Sequence, residues 1–574
     1  MLGIDDFVTD EWYPGFAPSF GHSPYIVEPF RSFNAADKDR FWFLDFHWAR
    51  GLTPLGMIWN EDGYSWGTQL AAEQMPLPSG RGMTQRIAGT HTYAAVIPVR
   101  NKLLVAARDK RMRQYLPDFL SRFDTIWAQR RSEIEIGWQA MLSRDVSALS
   151  DDELAVMLRE ARSYYRRLFE IHFEMMYPLI ANYLGFRGVC RELGIETATV
   201  AQFLQGYETK ITDTDRALWQ LVADARSCGV EPLFAANSSE AVVPALQQEP
   251  GGQRWLRKFD DFLGAYGYRT AGTADIALPS WKEDPTPVLA TIADFLRKAP
   301  HDFDAALAAA VEERETAIDE ARGRLTRREQ QVFDAGLRSV QSANFPWWQD
   351  DHNYYIDLRV SLPVRWVALE LARRLGTDRY DDTMFLFWPE LVELADRERN
   401  YGAGLRGIVD ARRQYFDYWH DRRAEMPRVL GSVPDVIDDP LLIEIYGLDR
   451  GYMEAVRDEA AGIKLTTLRG IPAARGTVRG PARVIRDAGD LGQLKQGEIL
   501  VCESTSASWT LVFGLIAGCV CDSGGALSHA AIVGREYGVP TVTACGVATS
   551  TIRDGDQIQV DGAAGTVTIF RERQ

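Results

Sequence analysis

The sequence is poor in the features that would tie it to a membrane, a nucleic acid or an oxidising compartment. Its six cysteines (Cys190, Cys228, Cys502, Cys519, Cys521 and Cys545) form neither a CxxC nor a paired framework, so they read as reduced thiols and point to the cytoplasm. Cys519 and Cys521 alternate as neighbours on one strand face do. The amino terminus, MLGIDDFVTDEW, has none of the basic and apolar regions of a signal peptide, and the longest apolar run, WTLVFGLIAGCVC, is too short to span a bilayer. Basic charge is also short: 64 Lys and Arg stand against 80 Asp and Glu, a net charge of -16. That balance repels phosphodiester backbones and anionic lipids, so neither nucleic acid nor a membrane is expected as a partner. There is no GxxxxGK[ST] loop, no internal repeat and no low-complexity tract. Histidine is scarce too, at 8 residues, which makes the placement of each one informative.

What is present is globular. With 574 residues, 46% hydrophobic, the chain is long enough for two to four domains, each with its own core. Residues 1–100 are rich in aromatics, Gly and Pro, and short runs such as TYAAVIPV predict strands and loops. From about 101 to 445 the period turns helical. Ser150 and Glu153 form a capping box, and Leu154, Leu158, Ala161, Tyr165, Leu168, His172 and Met175 follow one helical stripe. His172 reads as a core histidine of that stripe. A second pattern, Leu307, Val311, Ile318, Ala321 and Leu325, is broken by Arg314 and runs on through Val332, Phe333 and Leu337. Residues 446–464 read as a linker or hinge. From 465 to 574 short β-branched runs punctuated by glycine (GTVRGPARVI, GEILVC, AGCVCD, PTVTAC, GDQIQVDG, GTVTIF) predict a compact α/β module. The fold class is therefore multidomain α+β.

Within that module SGGALSHAAIVGREYGVPTV places His529 at a strand-to-helix turn. Ser528 is the predicted N-cap, Ala530 to Tyr537 give about two turns, and Gly538 with Pro540 supplies the stop. The free amides and positive dipole end of the helix suit a group that becomes an anion, and Gly524 and Gly525 permit close backbone approach. A neutral imidazole there has a ring nitrogen free to attack phosphorus. A histidine that merely caps a turn is the alternative for the isolated motif. Four segments in order, GIPAARGTVRGPARVI, GEILVCESTSASWTLVF, CDSGGALSHAAIVGREYGVPTV and IRDGDQIQVDGAAGTV, closely resemble the swivelling phosphohistidine domain of the phosphoenolpyruvate-utilising enzymes. The resemblance maps that family's phosphorylated histidine onto His529, with Gly524, Gly525 and Ser528 around the phosphate. One departure is Thr505-Ser506-Ala507-Ser508-Trp509-Thr510, where many relatives carry TxPxWT.

A weaker resemblance runs through the middle. YGYRTAGTADIALPSWKEDPTPVL, FWFLDFHWARGLTPLG and WQDDHNYYIDLRVSLPVRWVALELARRLG are similar to landmarks of the acceptor-binding domain of rifampin phosphotransferase-like proteins. Tyr268 and Ala274 depart from that pattern, which argues against copying a rifamycin specificity. The sequence stops soon after the histidine module, so a pyruvate-binding barrel is not expected. An acceptor domain plus a histidine domain resembles the histidine-bearing subunit of two-component phenylphosphate and 4-methylphenyl phosphate synthases. That resemblance implies ATP and Mg²⁺ at a separate nucleotide-grasp subunit, no cofactor or metal held permanently by this chain, and a phenolic small molecule as acceptor. A phenol site needs flat apolar walls and one base. One cluster offers Trp347, Trp348, Asp351, His352 and Tyr354, with His352 as first base; another offers Trp42, Asp45, Phe46 and His47, with His47 as second. Both clusters also suit a plain core. Arg269 is a candidate for gripping phosphoryl oxygens, or for an ion pair with Asp275. A non-phenolic alcohol or antibiotic as acceptor, or a phosphocarrier without chemistry of its own, are the rival readings.

Overall fold

Ser150 and Glu153 exchange the two hydrogen bonds of the capping box, Ser150 N to Glu153 Oε2 at 2.8 Å and Glu153 N to Ser150 Oγ at 3.3 Å. From there a helix runs over Asp151–Glu192. Its stripe is buried throughout, from Leu154 to Met175, His172 included. In this computed structural model, residues 2–17, 27–270, 272–297, 302–506 and 509–570 are described. The chain divides into two compact units. The first comprises Met1–Asn182, Ala274–Ala277 and Tyr355–Asp435, the second Tyr183–Thr273, Leu278–Tyr354 and Val436–Gln574.

The first unit contains the aromatic amino-terminal section. Its sheet has the strand order Arg31–Ser32, Gly80–Ala88, His91–Pro98, Phe41–Leu44, Val429–Gly431. The run TYAAVIPV lies mostly in the strand His91–Pro98. The fifth strand comes from the end of the stretch expected to be helical, and pairs Trp42 with Leu430. A π-helix, Trp59–Thr68, follows the second strand of the chain; π-helical turns are uncommon and recur at functional sites.

In the second unit the long pattern beginning at Leu307 resolves into three helices, Phe303–Gly323, Arg327–Ser342 and Phe345–Tyr355. Thr326 and Glu329 make a capping box at the first break. Arg314, the polar intrusion on the apolar face, lies 4.8 Å from the Tyr207 ring and donates to the Gln205 and Gly206 carbonyls. A charged side chain on that stripe is thus accommodated by cation–π contact and backbone acceptors.

The carboxy-terminal part of this unit is an eight-stranded mixed sheet. Its order is Thr467–Arg469, Thr566–Phe570, Gln557–Asp561, Thr477–Ile485, Ile499–Cys502, Gly518–Cys521, Thr541–Thr543, Ile471–Ala474. The two edge strands are separated in sequence by Gly470 alone, so the sheet curls until its ends come close. Every short β-branched run named above supplies one of its strands. The predicted linker holds a helix, Arg450–Ala460, and its Ala455 belongs to the sheet's apolar core with Val501, Val520 and Val560. All six cysteines are free thiols. Among the described residues no helix is long and apolar enough to cross a membrane.

Candidate functional site

The strand Gly518–Cys521 runs parallel to Ile499–Cys502, and both deliver a loop at their carboxyl ends. From the first loop comes His529, the first residue of the helix His529–Glu536 with Ser528 as N-cap. From the second come Thr505 and Thr510. Thr505 Oγ1 lies 2.8 Å from His529 Nδ1 and Thr510 Oγ1 lies 3.2 Å from Nε2. The Phe513 ring stands edge-on to the imidazole at 6.3 Å. With 8% of its surface exposed, the ring is removed from water, and burial pushes its pKa down to about 3. A ring so placed is neutral at any physiological pH and has one protonated and one lone-pair nitrogen. Each ring nitrogen faces a threonine hydroxyl, which can donate or accept, so the pair holds the ring in either neutral tautomer. Ala507 and Ser508, part of the departure from TxPxWT, lie outside the described residues.

The loop leading to His529 corrects one expectation. Gly524 N donates to the Tyr446 carbonyl and Gly525 N to that of Ile445, both at 3.0 Å, and Leu527 N donates to Glu444 at 3.2 Å. The two glycine amides are therefore spent on the segment 444–446 in this conformation and are not open to a phosphate. Gly525 is required by that pairing, since a Cβ there would sit 2.0 Å from the Glu444 carbonyl oxygen. Gly524 takes a φ of +101°, which L side chains rarely adopt. Ser528 fares differently: its Oγ is buried and makes no hydrogen bond among the described residues. With the first-turn amides, which have no intrahelical acceptors, it is the donor set left for an anion on His529.

The other predicted residues fall in two places. Trp348 and His352 lie in the second unit, fully buried, stacked at 4.2 Å with 8° between planes. His352 Nδ1 is 3.1 Å from the Trp348 carbonyl one turn back. Asp351 is buried beside them, Tyr354 is half-buried, and Trp347 donates Nε1 to the Glu208 carbonyl at 2.9 Å. This geometry is that of a packed core helix, not of an open wall with a base. Arg269 is buried with its guanidinium 4.6 Å from the Trp281 ring centre.

In the first unit, Trp42 is fully buried, donates to the Asp37 carbonyl at 2.9 Å and carries the Arg86 guanidinium on its ring. It is sheet core, so it too is withdrawn as an acceptor wall. His47 is placed otherwise. Its Nδ1 lies 2.7 Å from Asp45 Oδ1, its ring stacks on Phe46 at 4.3 Å, and Trp59 and Tyr64 stand at 6.3 and 6.4 Å. Its side chain is 25% exposed, whereas that of Asp45 is fully buried. Asp45 is fixed in turn by Gln85 Nε2 at 2.7 Å, and Gln85 accepts from Asn60 in the π-helix. An imidazole whose Nδ1–H is held by a fixed carboxylate presents Nε2 as an acceptor, the arrangement a general base needs.

Sequence reasoning missed a cavity of about 230 Å³ in the same unit, whose walls include Trp12, Phe16, Met57, Glu61, Arg162 and Phe387. Phe16 and Phe387 stack at 3.7 Å. Burial raises the pKa of Glu61 while Arg162, at 2.5 Å, draws it back. The aromatic density of residues 1–100 was its visible signal; the pairing of positions 16 and 387 was not legible from spacing.

Two family models match parts of the chain. Residues 494–565, which include His529 and both threonines, match the family described as PEP-utilising enzyme, mobile domain. The chain carries a PEP-utilising mobile domain. Residues 171–345 match the rifampicin phosphotransferase fourth domain. Among curated proteins the chain is 29% identical over 553 residues to a chondramide synthase of Chondromyces crocatus, covering 93% of this chain and 14% of that protein. It is 29% identical over 427 residues to the uncharacterized phosphotransferase YvkC of Bacillus subtilis, covering 72% and 48%. It is also 28% identical over 351 residues to a rifampicin phosphotransferase of Streptomyces sviceus, covering 59% and 37%. The chain thus spans less than half the length of these three relatives, two of which are named as phosphotransferases.

Proposed function

We propose that this chain is the phosphohistidine-carrying part of an ATP-dependent aryl phosphate synthase, which takes a phosphoryl group onto His529 Nε2 and passes it to a phenolic hydroxyl. The observation that carries the reading is the imidazole held neutral and dry between Thr505 and Thr510 at a helix amino terminus. Nε2 attacks phosphorus as the donor's P–O bond breaks, and the leaving phosphate oxygen takes the electron pair. The phosphoramidate formed has the Ser528 hydroxyl and the first-turn amides within its neighbourhood, the site class that favours an anion. ATP and Mg²⁺ belong to a separate nucleotide-grasp subunit in this proposal.

In the second step the acceptor oxygen forms the new P–O bond, the P–N bond breaks, and its pair returns to Nε2. His47 takes the hydroxyl proton, with Asp45 holding the ring's other nitrogen. The stretch from Phe46 to Tyr64 supplies this base together with the cavity walls Met57, Ile58 and Glu61. The Glu61 carboxylate is already engaged by Arg162, which leaves His47 as the base of this proposal. An antibiotic acceptor is the second reading, favoured by the names of the relatives and the match over residues 171–345. Incubation with a nucleotide-grasp partner, Mg-ATP and a panel of p-cresol, phenol, aliphatic alcohols and rifampicin separates the two. Aryl phosphate from phenols supports the proposal; turnover of rifampicin alone replaces it.

A further inference from the structure

The helix that opens with His529 ends in Arg535, Glu536 and Tyr537, none of which the chemistry above uses. Each has a polar partner. Arg535 donates to the Ala473 and Ala526 carbonyls at 3.0 and 3.2 Å. Tyr537 donates its hydroxyl to Asp215, in the helix Lys210–Ser227, 322 residues away in sequence. Glu536 meets the carboxyl of Asp350, in the helix Phe345–Tyr355. Asp350 is fully buried, and among the described residues no donor lies on either of its oxygens. Two carboxyl groups that face each other in this way are both acceptors when ionised, so the pair is stable only with a proton between them.

The surroundings reinforce this. The charged and titratable groups around the pair are Asp215 and Tyr537, His352 on the helix of Asp350, Arg535 on that of Glu536, Arg269 beside Asp215 and Tyr183 beside Arg535. Three carboxyls thus meet two guanidiniums, and one of those is committed to backbone carbonyls. Glu536 is itself exposed, which gives the proton a route, whereas Asp350 is fully buried.

We propose that Asp215 and Asp350 are docking residues that seat the His529 helix against the helices Lys210–Ser227 and Phe345–Tyr355, and that the seat holds only while Asp350 and Glu536 share a proton. The inference rests on the phosphotransfer reading, in which the mobile domain must leave one position and return to it. Burial raises Asp350 to about 7 and Asp215 to about 6. Released into water, both return toward ordinary carboxyl values of about 4. The docked form therefore binds more protons. Docking is complete below those ordinary values and is lost as pH rises through about 6 to 7, with a docking constant falling about tenfold per pH unit for each shared proton.

A dye pair on Glu240 and Arg553, both exposed, reports docking in the full chain by single-molecule energy transfer between acid and alkaline pH. The docked population of the wild type falls as pH rises. Asp350→Asn and Glu536→Gln, each of which gives the remaining carboxylate an N–H donor, lose the part of the pH dependence due to the shared proton and keep only the shallower part due to Asp215. If one of the two fails to fold by circular dichroism, the other carries the test. Tyr537→Phe moves the curve toward the released form and keeps its pH dependence. A wild-type distance that ignores pH, or amide variants that keep the wild-type pH dependence, overturn the proposal. His529→Ala keeps the docking curve and loses phosphorylation, so failure of the seat and failure of the phosphotransfer reading are told apart.

Discussion

His529 lies between two hydroxyls, and burial alone sets its proton affinity, whereas His47 holds the buried carboxylate of Asp45 at 2.7 Å. In the proposed reaction the same side chain is thereby suited to two tasks. Hydroxyls fix a ring without charging it, so the lone pair at His529 stays available for phosphorus. A carboxylate fixes the tautomer and steadies the cation that forms when the ring accepts a proton, which is what a base requires.

The largest effect that sharpens the comparison comes from His529→Ala, which should remove acceptor phosphorylation by about 10⁴-fold or more, because removal of a nucleophile leaves only binding and electrostatics. Product release measured with the reconstituted donor checks it. His47→Gln should slow acceptor phosphorylation by about 10²- to 10⁴-fold and leave the loading of His529 unchanged, as a labelled-phosphate pulse would report. Equal loss of both steps would break the contrast. Thr505→Val should slow loading about fivefold, the cost of about 1 kcal/mol for one hydrogen bond, and more than Thr510→Val does. Ser528→Ala should shorten the lifetime of the phosphorylated chain by only a few-fold, roughly one neutral hydrogen bond.

The comparison also has a pH signature. The folded His529 has a pKa of about 3 against about 6.5 when unfolded, so below that value the unfolded chain binds the extra proton. Its contribution to stability is fully present above about 6.5 and declines as pH falls toward 3. Nitrogen NMR of the ring should show no titration of His529 from neutral pH down to mildly acidic conditions; a midpoint near the free-imidazole value would contradict the buried clamp.

The sequence announces His529 clearly because its signals are local: an N-cap serine, two turns and a Gly-Pro stop all lie within a dozen residues, and the helix His529–Glu536 follows them. The strands of that module were legible for the same reason. The fate of Gly524 and Gly525 was not, since their partners Ile445 and Tyr446 lie about eighty residues away and no spacing rule ties a glycine amide to a distant carbonyl. Val429–Gly431 was hidden likewise: three residues carry no period, and only pairing with Trp42 makes them a strand. In the run WQDDHNYY the eye falls on His352 and Asp351, yet it is Asp350 that meets Glu536 of the histidine helix. Successive helix positions point about 100° apart, and which of them faces a partner depends on where that partner packs.

The account depends on a phosphoryl group residing on His529. Intact-mass spectrometry of the chain after incubation with a competent donor subunit and Mg-ATP, acceptor withheld, tests this directly. The expected result is one added phosphoryl group, lost on brief acid treatment, absent from His529→Ala and discharged by p-cresol. An unmodified chain under the same conditions, or an acid-stable adduct on another residue, would contradict it.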